Sequence, residues 1–129
     1  MQLEKKLEVC RGQCLMDYSF WGTLLCRLPL KERNDIPTMA TDGKFIYYNS
    51  EWTDGLSLDD TKFILLHEVC HCAFLHHTRR GYRDPKLWNV AGDYAINPVL
   101  VNSGLKMPSS GLYDEKYDGW SAEKIYDDI

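Results

Sequence analysis

The sequence predicts an α+β fold, mainly helical with one small antiparallel β-hairpin, and three observations lead there. Apolar residues recur at helical spacing near the N-terminus, two β-prone runs flank Asp42-Gly43, and two later apolar segments carry helix-start signals. With 129 residues the chain suits one domain spanning 1–129. A chain of that size can bury a core without covalent staples.

From Leu3 to Leu28 the pattern is helical, with apolar residues at Leu3, Leu7, Cys10, Cys14, Leu24, Leu25 and Leu28. Gly12 and Gly22 are the expected interruptions, and Pro29 closes the segment. Two antiparallel strands are expected at Thr38 to Thr41 and Lys44 to Asn49, joined by a turn at Asp42-Gly43. Ser57 reads as an N-cap followed by an acidic first turn. The helix it starts should run from about Leu58 to His77, with Gly81 the first plausible stop. Phe63, Leu65, Leu66, Val69, Ala73, Phe74 and Leu75 make it apolar nearly all round, so it should be buried. After a charged loop, Arg79 to Asp84, Pro85 opens a helix over Lys86 to about Asn97, where Pro98 kinks or ends it. Asn102-Ser103-Gly104 is a terminator, Lys106 to Trp120 reads as loop, and Ser121 caps a short helix, Ala122 to Ile129.

The net charge of -4 argues against a nucleic-acid binder, which would carry a basic stripe. Arg79, Arg80 and Arg83 are too few to reverse that. No apolar run reaches the length of a membrane span, and the charged start, with Glu4, Lys5 and Lys6, is unlike a signal peptide. Five cysteines cannot all pair within the chain. Cys70 and Cys72 lie in an apolar helix, and Cys10 and Cys14 share a helix face, so reduced thiols and a cytoplasmic setting are expected.

The chemistry sits in the long helix. His67-Glu68-Val69-Cys70-His71 matches H-E-x-x-H. Residues four apart on a helix differ by about 40° in rotation and about 6 Å in rise, so both imidazoles face one point and can bind one Zn²⁺. Glu68 lies beside them as general base for a water whose pKa zinc lowers to about 7. Two imidazoles and a carboxylate in an apolar helix would otherwise be hard to satisfy.

Catalytic zinc takes three protein ligands and keeps one open position. His77 has the metzincin spacing from His71, but Phe74 stands where that pattern has the glycine that turns the chain. In an unbroken helix His77 lies about 9 Å beyond His71, and His76 faces away from His67. The next helix carries a polar stripe, Asn89, Asp93 and Asn97, which demands partners if buried. Asp93 is the favoured third ligand, with Asn89 and Asn97 orienting the site. The alternative is that Asp93 pairs with Arg80 or Arg83.

These residues also carry a resemblance. The run from Thr38 through Tyr126, about two-thirds of the chain, resembles the metallopeptidase domain often found ahead of a von Willebrand factor A-like domain in bacterial proteins. The matching pieces are Thr41-Asp42-Gly43, Tyr48-Asn49, the His67 to His71 motif, His76-His77, Arg83-Asp84-Pro85, Trp88-Asn89, Ala91-Gly92-Asp93-Tyr94, Ile96-Asn97 and Ser121-Ala122-Glu123. The resemblance implies a zincin-like fold with the third ligand supplied by the helix after the zinc helix. A gluzincin-like Glu followed four residues later by Asp maps onto Asn89 and Asp93. With an amide in the first place, the ligand role moves to Asp93. The sequence ends at Ile129 with no von Willebrand-like domain, as expected of a stand-alone form (from a phage or mobile element, for example) or of a shortened chain.

The expected activity is zinc-dependent hydrolysis of peptide bonds. The partners expected are a protein or peptide substrate and a regulatory protein, with no nucleic acid and no membrane. The strand Lys44 to Asn49 is expected to line the cleft and pair with an extended substrate. His76, His77 and Tyr94 are candidate oxyanion donors. Two rival classes stand beside this: an inactive zincin-fold module that binds a protein, and a structural zinc site filled by His77 or a cysteine.

Overall fold

The computed structural model describes residues 2–129. Helix α1 (Leu3–Asp17) and helix α2 (Ser19–Arg27) replace the single interrupted helix expected at the N-terminus. The break falls at Tyr18, with φ −136° and ψ 64°, and at neither glycine. Gly12 lies inside α1, while Gly22 lets α2 fold back: a Cβ there would sit 2.4 Å from the carbonyl oxygen of Cys14. The expected apolar stripe is real, since Leu7, Cys10, Cys14 and Leu25 are all buried.

Three short strands follow: β1 (Leu30–Glu32), β2 (Met39–Thr41) and β3 (Ile46–Tyr48). The expected hairpin forms between β2 and β3, with Met39 opposite Tyr48. Its turn is held by Asp42, whose carboxylate accepts the N–H groups of Phe45 and Lys44, each at 2.9 Å, and the hydroxyl of Tyr47. These bonds pull its pKa down to about 2. Strand β1, which carries no alternation and follows Pro29, was not expected. It joins parallel to β3 and makes the sheet mixed, in the order β1-β3-β2. The strand expected to meet substrate, β3, is therefore central, and β1 and β2 are the two edges.

Helix α3 (Ser50–Asp54) is capped by the Asn49 side chain. The buried Lys6 closes its far end by donating from Nζ to the carbonyls of Thr53 at 2.6 Å and Leu56 at 2.8 Å. Helix α4 (Leu58–Ala73) starts as expected at Ser57, whose hydroxyl accepts the Asp60 N–H at 3.1 Å. It stops at Ala73, four residues before His77. Leu75 takes the left-handed conformation, φ 56° and ψ 34°, and a new short helix, α5 (His76–Arg79), begins. No breaker residue marks this stop. Tertiary contact holds it: Arg79 donates from one guanidinium nitrogen to the Phe74 carbonyl at 2.6 Å and pairs with Glu123 through the others.

Helix α6 (Pro85–Asn102) is capped by Asp84 and continues through Pro98, past the expected end at about Asn97, to the terminator at Asn102-Ser103-Gly104. Helix α7 (Ala122–Asp128) starts at its Ser121 cap, after a 3₁₀ turn at Glu115–Tyr117. The main core joins Leu7, Cys10 and Leu25 to Ile46, to Phe63, Leu66 and Val69 of α4, and to Ile96 and Leu100 of α6. A second cluster packs Trp88, Ala91 and Ala95 of α6 on Ala122 and Ile125 of α7. Helix α6 is thus gripped on two sides, which fixes the side chains it turns toward α4. Among the described residues no helix is long and apolar enough to cross a membrane.

Candidate metal centre

Helix α4 brings His67, Glu68 and His71 together as the four-residue spacing requires. Each offers a donor atom within 4.8 Å of the others, and the two Nε2 atoms lie 3.1 Å apart. Asp93, from the middle of α6, meets them from the facing helix. Its Oδ1 is 2.8 Å from Nε2 of His67 and 3.3 Å from Nε2 of His71. Donors bonded to one tetrahedral zinc at about 2.1 Å lie about 3.4 Å from one another. The three atoms form a triangle slightly smaller than that, with its shortest side at the 2.8 Å of a hydrogen bond, and their chemistry suits a single small cation. The residues fit the ion that the motif implies.

The electrostatics agree with the geometry. Burial opposes the Asp93 charge, yet hydrogen bonds from His67 and His71 outweigh it and hold the carboxyl well below the usual carboxylate range. Burial likewise opposes a charged His67, but the facing Asp93 carboxylate raises its pKa overall. The alternative pairing of Asp93 with an arginine does not occur. Arg79 is taken by Glu123, and Arg83 lies over the rings of Trp88 and Tyr126. Arg80 is exposed at the cleft mouth.

Of the two expected orienting amides, one does so. Asn97 is 2 % exposed, and its Oδ1 lies 2.8 Å from Nδ1 of His67 while its amide nitrogen donates to the carbonyl of Leu112. That second bond settles which end of the amide faces the ring. In its neutral, metal-binding form the imidazole then carries its proton on Nδ1 and leaves Nε2 free, whereas the charged form also holds a proton on Nε2 against Asp93. Asn89 lines the same cleft one turn earlier, exposed, and makes no side-chain hydrogen bond among the described residues.

The turn at Leu75 overturns the expectation that His76 faces away. His76 is 5 % exposed, and its Nδ1 lies 3.1 Å from Nδ1 of His71. Burial, with His71 and Arg79 nearby, pushes its pKa down to about 4. Gly92 makes room, for a Cβ there would sit 3.0 Å from Nδ1 of His76 and 3.2 Å from Cε1 of His71. Neither role was legible in the sequence, because both depend on a backbone turn that no residue type announces. His77, exposed, lies over Gly43, where a Cβ would sit 2.6 Å from the His77 Nε2. His77 faces the cleft, whereas Tyr94 packs on Tyr117 in the second cluster and does not line it.

Glu68 is 7 % exposed and opens onto the cleft, with no side-chain hydrogen bond among the described residues. A buried carboxylate in that condition is free to bind a water or a substrate proton. The cleft holds about 630 Å³. Its lining mixes apolar residues, Met39, Trp52, Phe63 and Ile64 among them, with polar ones such as His77, Arg80 and Asn89. Along it runs β2. Thr38 bonds inward to Asn49 across the hairpin, so alternation directs the main-chain groups of Met39 and Thr41 to the outer edge.

No curated protein and no solved structure matches the chain. One family model does, over residues 3–129, and it describes a "Putative metallopeptidase domain". The match covers nearly the whole sequence, and His67, Glu68 and His71 converge within it at one point. The chain belongs to that metallopeptidase-domain family.

Proposed function

We propose that the domain is a zinc-dependent peptidase in which His67, His71 and Asp93 hold one Zn²⁺ and Glu68 is the general base. The observation that carries this reading is the meeting of Asp93 Oδ1 with both Nε2 atoms, beside the Glu68 carboxylate, which has no side-chain hydrogen bond among the described residues. When bound, zinc supplies Lewis acidity and lowers the pKa of a ligated water. Glu68 takes a proton from the attacking water and passes it to the leaving amine. The outer edge of β2 pairs with an extended peptide and lays its scissile bond across the site. Asn97 keeps the Nδ1 proton of His67 in place throughout.

A purely structural zinc site is disfavoured by the cysteines. Cys70 is fully buried in the core, and Cys72 is engaged with the Thr41 hydroxyl at 3.1 Å, so neither completes a fourth position. The five free thiols support a reducing, cytoplasmic setting. Glu68→Gln tests the reading against an inactive binding module. The variant should keep zinc and lose peptide hydrolysis by about 10²-fold or more. Hydrolysis at the wild-type rate would refute the assigned base, and a zinc-loaded wild type inert toward unfolded protein substrates would favour the binding module.

A further inference from the structure

We infer that His76 is a positioning residue: its Nδ1 accepts the Nδ1 proton of His71 and so commits Nε2 of His71 to the metal. The inference rests on the zinc-site reading above.

The argument is one of proton placement. A neutral imidazole carries one ring proton, and the nitrogen without it is the only one able to ligate. His71 turns Nε2 toward His67 Nε2 and Asp93 Oδ1, at 3.1 and 3.3 Å, so its proton belongs on Nδ1. The only side-chain atom that hydrogen-bonds that nitrogen, among the described residues, is Nδ1 of His76 at 3.1 Å. Two lone pairs, or two N–H groups, would repel at that distance. One ring donates and the other accepts, which makes His76 the acceptor with its own proton on Nε2.

The surroundings hold His76 to this task. Its ring sits edge-on to Trp88 at 5.8 Å, and its carbonyl accepts the Trp88 indole N–H at 2.8 Å. The left-handed Leu75 delivers it there, and Gly92 leaves the space it occupies. Asn97 performs the matching service for His67 with an amide oxygen. Each imidazole of the motif thus has its far nitrogen fixed by a separate element, α5 for His71 and α6 for His67.

The test measures zinc affinity by chelator competition in wild type, His76→Phe and His76→Asn. Phe keeps the ring packing and removes the acceptor, and Asn restores an acceptor close to the position of Nδ1. Loss of such a partner typically weakens metal binding about 10–100-fold. Weakening in that range in the Phe variant, with most of it recovered in the Asn variant, is the expected result. Wild-type affinity in the Phe variant overturns the proposal and leaves the zinc site standing, as do two folded variants equally weak. A wild type that binds no zinc overturns both. If the Phe variant does not fold, nitrogen-15 NMR of zinc-loaded wild type decides. Protonation of His71 at Nδ1 supports the proposal, and zinc on that atom or on His76 overturns it.

Discussion

Asn97 and His67 are joined Oδ1 to Nδ1 at 2.8 Å across the interface between α6 and α4, a bond that links the helix carrying the motif to the helix carrying Asp93. The same amide is anchored at its other end by Leu112, in the segment that follows α6. The site is therefore assembled by packing between two helices, with the His67 ring partnered by a residue 30 positions away.

Replacing Asn97 by Leu keeps the volume and removes the acceptor. Zinc affinity should fall about 10–100-fold. The metal-free fold should lose about 1–3 kcal/mol, because the buried His67 N–H is left without a partner. Chelator competition and urea unfolding measure the two effects separately, and an unchanged affinity would remove Asn97 from the site.

Leu75→Gly separates the observed chain path from the one expected of the sequence. In a continuous helix to His77 the change would cost about 1 kcal/mol. At φ 56° a leucine is strained by about 1–2 kcal/mol, and glycine is not. Glycine's greater freedom when unfolded offsets part of the relief, so the variant should be equal to wild type or up to about 1 kcal/mol more stable. Thermal unfolding distinguishes the two signs.

The helix stop at Leu75 is also where sequence reasoning reached its limit. The motif, its helix and the Asp93 stripe were legible because period and spacing belong to the local chain. The start signals at Ser57, Pro85 and Ser121 held for the same reason. The end of α4 depends on Arg79 reaching back to Phe74 and across to Glu123, 44 residues away, and no local pattern encodes that. Strand β1 exists because β3 offers it an edge, and its own residues, Leu30 to Glu32, show no alternation. Pro98 predicts a kink or an end, yet the helix gives up a single donor there and continues to the terminator at Asn102-Ser103-Gly104.

Gly92→Ala should uncouple stability from metal binding. Alanine raises helix propensity by about 1 kcal/mol inside α6. Its Cβ presses on the rings of His76 and His71 at 3.0 and 3.2 Å, so one of them must shift. Zinc affinity is expected to drop roughly tenfold with little loss of thermal stability. An affinity equal to wild type would show that the rings have slack.

The metal-free protein should lose stability in acid partly through His76. Its folded pKa is pushed down to about 4, below the ordinary 6.5 of the unfolded chain, so the unfolded state binds the proton first. That contribution is complete above pH 6.5 and is lost as pH falls from 6.5 toward 4, amounting to roughly 3 kcal/mol at most. His67, with its pKa raised by Asp93, acts in the opposite sense and loses its contribution as pH rises through the raised value. The stability of wild type relative to His76→Phe, each stripped of metal, should therefore fall as pH is lowered through this window. Parallel curves would contradict the assignment.

Anomalous X-ray scattering at the zinc edge, on crystals of the zinc-loaded protein, tests the central claim most directly. The account requires one peak bonded at about 2.0–2.2 Å to Nε2 of His67, Nε2 of His71 and a carboxylate oxygen of Asp93, with Glu68 outside bonding distance. No peak at this site, or an ion that leaves Asp93 and binds His77 or a cysteine instead, would contradict it.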